Sequence, residues 1–341
     1  MAHHGTPSGR NTVAREIQRP HWWVFGSNGF VGGGIVAELR GRGIEPAGAR
    51  ALRLTTAARD TAGVVADAEA SASLADLAAR IPAGAVVVNA AGLAAPDSAD
   101  DDALYGANAL WPSVLALACA EAGAARLVHL SSAAVQGYRP VLDESWDTSP
   151  FSPYSRSKAL GEAALRALQP RLPDGMLSIV RATSVQGAGR RTTASFARVA
   201  SSPLASVAGA GDAPSPVSSL PALSQFVVDV GLRRPDQTVL LQPWEGLSVR
   251  EALAAAGGRE PARVPAWLCR AAVRTGFAVS KVAGESLHGP VRRAEVMWFG
   301  QAQESGWAEA NGVLPTPRAE QVLRQAAPGS GSGSGSGSGE R

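Results

Sequence analysis

Short apolar runs alternate along the first half of the chain with segments whose apolar residues recur at helical spacing. The runs predict strands, which are, in order, Trp22–Phe25, Ala51–Thr55, Val64–Val65, Ala85–Asn89, Leu127–Leu130 and Ser178–Arg181. The helical spacing predicts helices at Ile35–Leu39, Leu74–Ile81, Leu104–Ala120 (bent at Pro112) and Leu160–Leu168. Apolar strands that alternate with helices are typical of a parallel sheet covered on both faces. We therefore predict an α/β fold with a doubly wound parallel sheet.

Glycine recurs at every third position of a turn between the first predicted strand and the first predicted helix, in Gly26-Ser27-Asn28-Gly29-Phe30-Val31-Gly32. In a strand–turn–helix context this spacing is typical of a Rossmann-like dinucleotide site. Gly26 permits the tight turn, Gly29 lets the backbone approach a pyrophosphate, and Gly32 allows the helix to pack on the strand. The predicted cofactor contacts are Gly26, Ser27, Asn28, Gly29, Phe30 and Val31. The alternative is an ordinary loop in a chain that contains 38 glycines.

The chain divides by composition as well as by pattern. We predict a dinucleotide-binding Rossmann domain over 20–187, because the alternation loosens and Gly, Pro and Ser become frequent beyond it. Residues 188–326 are predicted to form mainly a smaller C-terminal substrate-binding lobe, from which a strand and a helix at about 216–242 return to the sheet. The polar residues 1–19 predict a flexible arm, and the Gly/Ser-rich residues 327–341 predict a disordered tail.

The segment at the end of the second predicted strand indicates which dinucleotide binds. An acid there would hold the ribose hydroxyls, whereas a base would accept a 2′-phosphate. No acid occurs before Asp60, and Thr55, Thr56 and Arg59 are suited to a 2′-phosphate. The sequence therefore predicts NAD or NADP as the cofactor and prefers NADP. The alternative for Arg59 is a solvated surface cation.

Tyr154 and Lys158 are four residues apart, in a chain with only two lysines and three tyrosines. On a helix this spacing places both side chains on one face. A neighbouring ammonium favours the phenolate, so the tyrosine can exchange a proton with a substrate oxygen while hydride moves. Ser131 and Ser132 end a predicted strand at the carboxyl edge of the sheet, where such folds bind ligands. The alternatives are an exposed Tyr–Lys contact and a serine that caps a helix.

These motifs together resemble the extended short-chain dehydrogenase/reductase family, in its NAD-dependent epimerase/dehydratase group. The resemblance covers about residues 22–187 and rests on five segments, which are Gly26–Gly32, Asn89–Gly92, His129–Gly137, Tyr154–Lys158 and Arg181–Gly187. It implies that Ser132 rather than Ser131 is the catalytic serine, beside Tyr154 and Lys158. Those three residues are the predicted catalytic set.

The resemblance also implies contacts for the cofactor and for a second subunit. Asp67, Ala91 and Gly92 match positions at which the family contacts the cofactor, as do Tyr154 and Lys158. The family further implies a homodimer, formed through helices around 103–122 and 154–169.

Four positions are candidate substrate contacts by the same resemblance: Asn108, Ala133, Gln136 and Ser184. Gln136 and Ser184 replace the family's usual tyrosine and asparagine. Ala133 and its neighbour stand where the family's dehydratases and decarboxylases carry acids, so those two reactions are less expected. Four arginines could bind a nucleotide diphosphate or could be ordinary surface residues, namely Arg190, Arg191, Arg292 and Arg293.

With dehydration and decarboxylation less expected, the predicted reaction is reversible hydride transfer at a secondary alcohol or ketone carbon. We predict an NAD(P)-dependent oxidoreductase or epimerase acting on a nucleotide-linked sugar or a related metabolite. One alternative is an NADPH-dependent ketoreductase of secondary metabolism. Another is a non-catalytic NAD(P)-binding sensor or scaffold, because several family residues are replaced.

Composition and charge exclude several other classes. The net charge is +3 and the arginines are scattered, so we expect no nucleic-acid partner. Cys119 and Cys269 lie far apart and no histidine pattern suits a metal, so neither a disulfide framework nor a metal site is predicted. No stretch approaches about 18 apolar residues, which predicts no membrane partner. The polar first residues lack the apolar segment of a signal peptide, so a cytoplasmic protein with a small-molecule substrate is expected.

Overall fold

The computed structural model describes residues 20–94, 99–283 and 287–328, so the predicted arm and nearly all of the predicted tail lie outside the described residues. Strands β1–β12 are, in chain order, Trp22–Phe25, Ala47–Ala49, Val86–Asn89, Arg126–Ser132, Val141–Leu142, Leu177–Ala182, Ser184–Gln186, Ser206–Ala208, Val217–Ser219, Val239–Leu241, Ala262–Val264 and Ala302–Gln303. Helices α1–α13 are Phe30–Gly41, Thr61–Glu69, Leu74–Arg80, Asp102–Tyr105, Trp111–Glu121, Pro153–Leu168, Arg191–Ser201, Leu220–Arg233, Val249–Gly257, Ala266–Ala283, His288–Phe299, Gly306–Ala310 and Ala319–Ala326.

A six-stranded parallel sheet in the order β10-β6-β4-β3-β1-β2 forms the centre of the fold. Alternate residues of β3 face opposite layers, because successive side chains of a strand point to opposite sides. Val87 packs with α3, α5 and α6, whereas Val86 and Val88 pack with α1 and α8. Both faces of the sheet are therefore covered by helices. This arrangement confirms the predicted α/β fold with a Rossmann-like, doubly wound sheet.

Two of the predicted strands are wrong. Ala51–Thr55 is irregular, and the second strand comes earlier, at Ala47–Ala49. Val64–Val65 belongs to helix α2, whose start is fixed by Asp60, because its carboxylate accepts a hydrogen bond from Gly63 N at 2.9 Å. Val64 packs there against Ala109 and Ala164 of neighbouring helical segments. Tertiary packing thus overrides the strand preference of the two valines.

The helical stretch 102–121 differs from prediction at its middle. A π-helical segment, Gly106–Leu110, joins α4 to α5, and it lies just before the predicted bend at Pro112. Proline has no N–H, so the carbonyl four residues earlier, at Asn108, loses its helical partner and the turn can widen. A Cβ on Gly161 of α6 would overlap that carbonyl oxygen, so the widened turn sits directly against α6.

The same stretch, Asp102–Glu121, is long and apolar enough to cross a membrane by length and composition. This differs from the expectation that no segment of the chain meets those criteria. Within the fold, 83% of its apolar window is buried. Its apolar character is therefore explained by its place in the core, between α3 and α6.

The C-terminal part of the chain contributes to the central sheet and also builds a separate core. Within 216–242, α8 packs against α1, and β10 pairs with β6 at the edge of the sheet. A second core lies among α7, α9 and α13 and includes Val207, Leu253 and Leu323. Helices α10 and α11 pack against each other, and α11 also contacts β8. The boundary between domains at residue 187 stays a prediction.

Candidate active site

The glycine turn lies between β1 and α1 and is pressed against a neighbouring strand end. Gly26 has a φ of +81°, a left-handed conformation that glycine adopts readily. A Cβ on Gly26 would lie 2.9 Å from Ala91 N, and one on Gly32 would overlap the Gly26 carbonyl oxygen. Gly29 precedes α1 and provides no side-chain cap, so no cap competes for the first helical N–H groups. The turn therefore fits the close approach of a dinucleotide phosphate.

A cleft of about 250 Å³ lies at the carboxyl edge of the sheet, beside this turn. The strand register brings Phe25, Asn89 and His129 level on adjacent strands, so the segments that follow β1, β3 and β4 meet at one edge. The cleft brings together six of the predicted site residues, which are Val31, Ala91, Gly92, Ser132, Tyr154 and Lys158. Distant parts of the sequence thus converge where parallel sheets bind ligands.

Tyr154 lies in the first turn of α6, and a reciprocal serine cap fixes where that helix begins. Ser152 Oγ accepts from Ser155 N at 3.2 Å, and Ser155 Oγ accepts from Ser152 N at 2.9 Å. The Tyr154 phenol and the Ser132 hydroxyl both line the cleft. Burial raises the pKa of Tyr154, while the nearby Ser132 hydroxyl and the Arg190 guanidinium act to lower it. A phenol beside a serine hydroxyl is a suitable group for proton exchange with a bound oxygen.

Lys158 lies one turn further along α6 and is almost completely buried. Its Nζ donates to Leu130 O at 3.0 Å, and a Cβ on Gly92 would lie 3.2 Å from Nζ. Burial lowers the pKa of Lys158 to about 8, although the Glu162 carboxylate acts to raise it. The ammonium is therefore held between the cofactor-side loop and the end of β4, and its pKa means that it loses its proton as the pH rises through about 8.

We expect the titration of Lys158 to be measurable directly, because the chain has only two lysines. In protein labelled with ¹³C at lysine Cε, one NMR signal should titrate with an apparent pKa of about 8. The Lys158→Arg variant assigns that signal by removing it. Because a lysine is charged below its pKa, activity that needs the ammonium should fall as the pH rises through about 8. A midpoint above about 10, the range of an exposed lysine, would contradict the effect of burial.

Arg190 is a second cation of the cleft, and it precedes α7. Its Nη1 donates to Val185 O at 2.5 Å, and its guanidinium lies 4.8 Å from the centre of the Phe30 ring. Burial lowers the pKa of Arg190, and the nearby Tyr154 phenol acts to raise it. Arg293 of α11 also lines the cleft, whereas Arg292 donates to Gly137 O and to Glu295. Of the four candidate arginines, Arg190 is therefore the one tied to both the glycine turn and the tyrosine.

A buried ion pair beneath the site is not predicted from the sequence. Arg181 Nη2 donates to Glu162 Oε2 at 2.7 Å, and the two side chains are 0% and 1% exposed. Glu162 also accepts from Ser131 Oγ at 2.6 Å, so Ser131 points into this pair while Ser132 faces the cleft beside Tyr154. Arg181 opens one segment of the family resemblance, and Glu162 follows Lys158 by four residues on α6, but neither feature indicates that the two side chains pair.

Two predicted cofactor residues are engaged elsewhere. Asp67 lies within α2 and accepts a hydrogen bond from Thr56 Oγ1. Arg59 donates to Asp102 Oδ1 at 2.8 Å, and its guanidinium lies 4.0 Å from the centre of the Tyr105 ring. Both contacts follow from the earlier end of β2, which leaves this segment irregular and folded against α2 and α4.

The four candidate substrate residues lie outside the lining of the cleft. Asn108 is fully buried, and its amide bonds both backbone groups of Leu93 as well as Ser157 Oγ. Ala133 lies in a small apolar cluster, and Ser184 is exposed, where its hydroxyl accepts from Gln186.

Gln136 is fully buried, and its amide bonds Asp143 and Asp147 O. The side chains of Asn108 and Gln136 therefore hold loops of the protein. Family position alone does not carry any of the four residues into the cleft.

A family model of the NAD-dependent epimerase/dehydratase family matches residues 22–219. The chain belongs to this family. The match starts at β1 and ends at β9, so it includes the glycine turn, the serine and the tyrosine–lysine pair. The resemblance predicted from the motifs is thereby confirmed. A comparison with curated proteins finds no significant sequence match.

Solved structures of several epimerases and reductases share the fold. A human epimerase family protein with NADPH is 21% identical over 90% of this chain and 99% of its own, with a TM-score of 0.58. UDP-glucose 4-epimerase of Thermus thermophilus, in complex with NAD, is 19% identical over 89% and 96%, also with 0.58. The dTDP-4-dehydrorhamnose reductase of Yersinia enterocolitica is 18% identical over 90% and 98%, with 0.57. At these identities the likeness extends to the fold.

Proposed function

We propose that this protein is an NAD(P)-dependent oxidoreductase or epimerase that transfers hydride at a secondary alcohol or ketone carbon. The observation that carries the proposal is that Ser132, Tyr154 and Lys158 line one cleft beside the glycine turn. The glycine turn, Ala91, Gly92 and Lys158 would hold the dinucleotide, which supplies or accepts the hydride when bound. Hydride transfer is the chemistry expected of a family member that combines a phosphate-binding turn with a buried tyrosine.

The protein's own residues have separate tasks in this proposal. Ser132 orients the substrate oxygen, and Tyr154 gives a proton to that oxygen or takes one from it. Lys158 and Arg190 place positive charge near the phenol and so favour its ionised form. The described lining of the cleft contains no carboxylate, which supports hydride transfer over dehydration or decarboxylation.

The substrate is proposed to be a nucleotide-linked sugar or a related anionic metabolite. Arg190 and Arg293 both line the cleft, and arginine is well suited to phosphate and carboxylate groups. Fold relatives include proteins described with UDP-glucose or as dTDP-4-dehydrorhamnose reductases, which is consistent with such a substrate. A screen of sugar nucleotides and secondary ketones with the purified protein tests this, and turnover of uncharged ketones alone would contradict it. We further propose that the protein acts in the cytoplasm.

An epimerase and a reductase differ in whether they retain the dinucleotide. An epimerase returns the hydride to its own substrate, so the protein should purify with bound NAD. A reductase releases the oxidised cofactor and needs added NADPH. The absorbance spectrum of the purified, denatured protein separates the two, because only a retained dinucleotide appears in it. A protein that binds NADP(H) tightly but turns over no ketone or sugar nucleotide would instead be the non-catalytic sensor.

We propose that the cofactor preference depends on Arg50 and favours NADP. Arg50 directly follows β2 and is exposed, and Gly26 N donates to Ala49 O at 3.1 Å, so this strand end adjoins the glycine turn. A base at that position is suited to a 2′-phosphate. Arg59, the base that the sequence predicts for the 2′-phosphate, is paired with Asp102.

Replacing Arg50 by alanine should weaken NADPH binding about tenfold to a hundredfold, the usual effect of losing a charge-assisted hydrogen bond. NADH binding should change little, because NADH lacks the 2′-phosphate. Fluorescence titration with both cofactors measures the difference, and Arg59→Ala is the matched control. Equal losses for NADPH and NADH, or the larger loss in Arg59→Ala, would refute the assignment to Arg50.

A further inference from the structure

Helix α10 (Ala266–Ala283) has one face packed in the protein and one turned outward. Cys269, Val273 and Ser280 are buried and share one side, on which the helix packs against α11. A Cβ on Gly276, on the same side, would lie 3.0 Å from the side chain of Val291 in α11. At 3.6 residues per turn, the remaining positions lie on the opposite side. That opposite side is the subject of the inference.

The outward side of α10 is apolar. Trp267, Leu268 and Val279 are 67%, 43% and 49% exposed. Helical spacing places them in one sector about 140° wide, together with small residues that are also exposed. We call this sector the outer face of α10, and it consists of Trp267, Leu268, Ala271, Ala272, Thr275, Ala278 and Val279. A soluble surface rarely groups exposed apolar side chains in this way, so the face indicates a binding surface.

Positive charge borders the outer face on one side. Arg270, Arg274 and Lys281 are exposed and follow one another along the helix, and α10 contains neither Asp nor Glu. Arg270 lies 5.4 Å from the centre of the Phe299 ring. No ion pair with these three cations occurs in the part of the chain that the structure describes. The matching surface therefore offers negative charge beside an apolar layer.

A second copy of the chain matches this surface poorly. If two outer faces met with their helices antiparallel, both rows of cations would lie along the same edge of the contact, where like charges repel. The homodimer helices predicted from the family, around 103–122 and 154–169, have no exposed large hydrophobic side chain among the described residues. The charges of α10 therefore do not favour self-association through its outer face. The helices around 103–122 and 154–169 offer no exposed large apolar side chain, among the described residues, that would favour it there.

We propose that the outer face of α10 docks the protein on an anionic lipid bilayer. A bilayer offers acyl chains to the apolar sector and negative headgroups to its cationic border. Tryptophan favours the level of the headgroups, and Trp267 is the most exposed large residue of the face. Between Leu268 and Val279 the face presents only alanine and threonine side chains, which offer few contacts that would select a protein partner. In this arrangement the helix stays packed on α11 and lies on the membrane surface. The expectation of no membrane partner concerns only segments that span a bilayer, and a helix on the surface needs no spanning length.

The test is vesicle sedimentation with the full-length protein. The protein should bind vesicles of phosphatidylcholine mixed with phosphatidylglycerol, and should bind vesicles of phosphatidylcholine alone far more weakly. High salt should release it, because salt screens exposed charges. Absence of binding to the mixed vesicles would overturn the proposal and leave an acidic protein as the better partner. Equal binding to both kinds would overturn the proposed recognition of anionic lipid.

Variants distinguish the two parts of the surface. The triple variant Arg270→Gln/Arg274→Gln/Lys281→Gln should bind the mixed vesicles roughly a hundredfold more weakly, about fivefold for each cation near the surface. Trp267→Ser should also weaken binding. The control Arg198→Gln/Leu204→Ala, which changes an exposed cation and an exposed apolar residue elsewhere, should bind like the unchanged protein.

The oligomeric state and the fold complete the test. Each variant should keep the thermal midpoint and the NAD(P) affinity of the unchanged protein, since none of these residues lines the cleft. Full vesicle binding by the triple variant would refute the electrostatic part of the proposal. A dimer that Trp267→Asp converts to a monomer would overturn it by assigning the face to a second copy.

Discussion

Replacing Tyr154 by phenylalanine is expected to lower kcat by at least about a hundredfold, the usual contribution of a positioned acid or base. The variant keeps the ring but removes the hydroxyl that lies near Ser132, so no group remains at that position to exchange a proton with the substrate oxygen. Cofactor affinity should change little, because the glycine turn and Lys158 are untouched. Steady-state kinetics and a cofactor titration on the same preparation separate the two effects.

Tyr138→Phe is the matched control for this substitution. Tyr138 is exposed and does not line the cleft, so its variant should retain normal turnover. Near-normal kcat in Tyr154→Phe would remove this tyrosine from the chemistry. A parallel loss of cofactor binding and thermal stability would instead indicate a structural role.

Replacing Glu162 by glutamine is expected to destabilise the protein by about 3–5 kcal/mol. The substitution leaves Arg181 as a buried charge without its carboxylate, at a site where both side chains are at most 1% exposed. Arg181 also donates to Asp143 O and Ser145 O, so the loop after β5 should loosen as well. Denaturant unfolding measures the change in the free energy of unfolding.

The matched control for Glu162→Gln is Glu320→Gln, which breaks the exposed pair between Arg324 and Glu320. That change should have little measurable effect, because exposed ion pairs contribute little to stability. A loss in Glu162→Gln as small as in the control would contradict a stabilising role for the buried pair. Glu162→Gln should also lower the pKa of Lys158 further below about 8, since the carboxylate acts to raise it. The NMR titration of Lys158 reports this independently of stability.

The central features of the fold are predictable from the sequence because each depends on residues that lie close together in the chain. The first strand, the glycine turn and the first helix occupy consecutive residues. Each glycine of the turn lies so close to neighbouring backbone atoms that a Cβ would be crowded. The spacing of Tyr154 and Lys158 likewise lies within one helix. Strands with consecutive apolar residues, such as β3 with Val86, Val87 and Val88, indicate a sheet buried on both faces without any knowledge of their neighbours.

We propose Arg50 rather than Arg59 as the cofactor base, and the difference arises because a strand end is not a local property. Ala51–Thr55 has the composition of a strand, yet the strand that pairs with β1 is Ala47–Ala49. The pairing is decided by which residues reach the neighbouring backbone. This moves the end of the strand to Arg50 and leaves Arg59 to pair with Asp102.

The sequence by itself determined the class of fold, the phosphate turn and the serine, tyrosine and lysine proposed for catalysis, because each depends on spacing within one element or on a known motif. Only the tertiary structure decided which side chains share a space. It brought Arg190 to Tyr154 and paired Glu162 with Arg181, and it placed the Asn108 and Gln136 amides on loops of the protein. These contacts join residues from different elements. Their distances, burial and charges arise from packing, which no pattern along a single chain segment specifies.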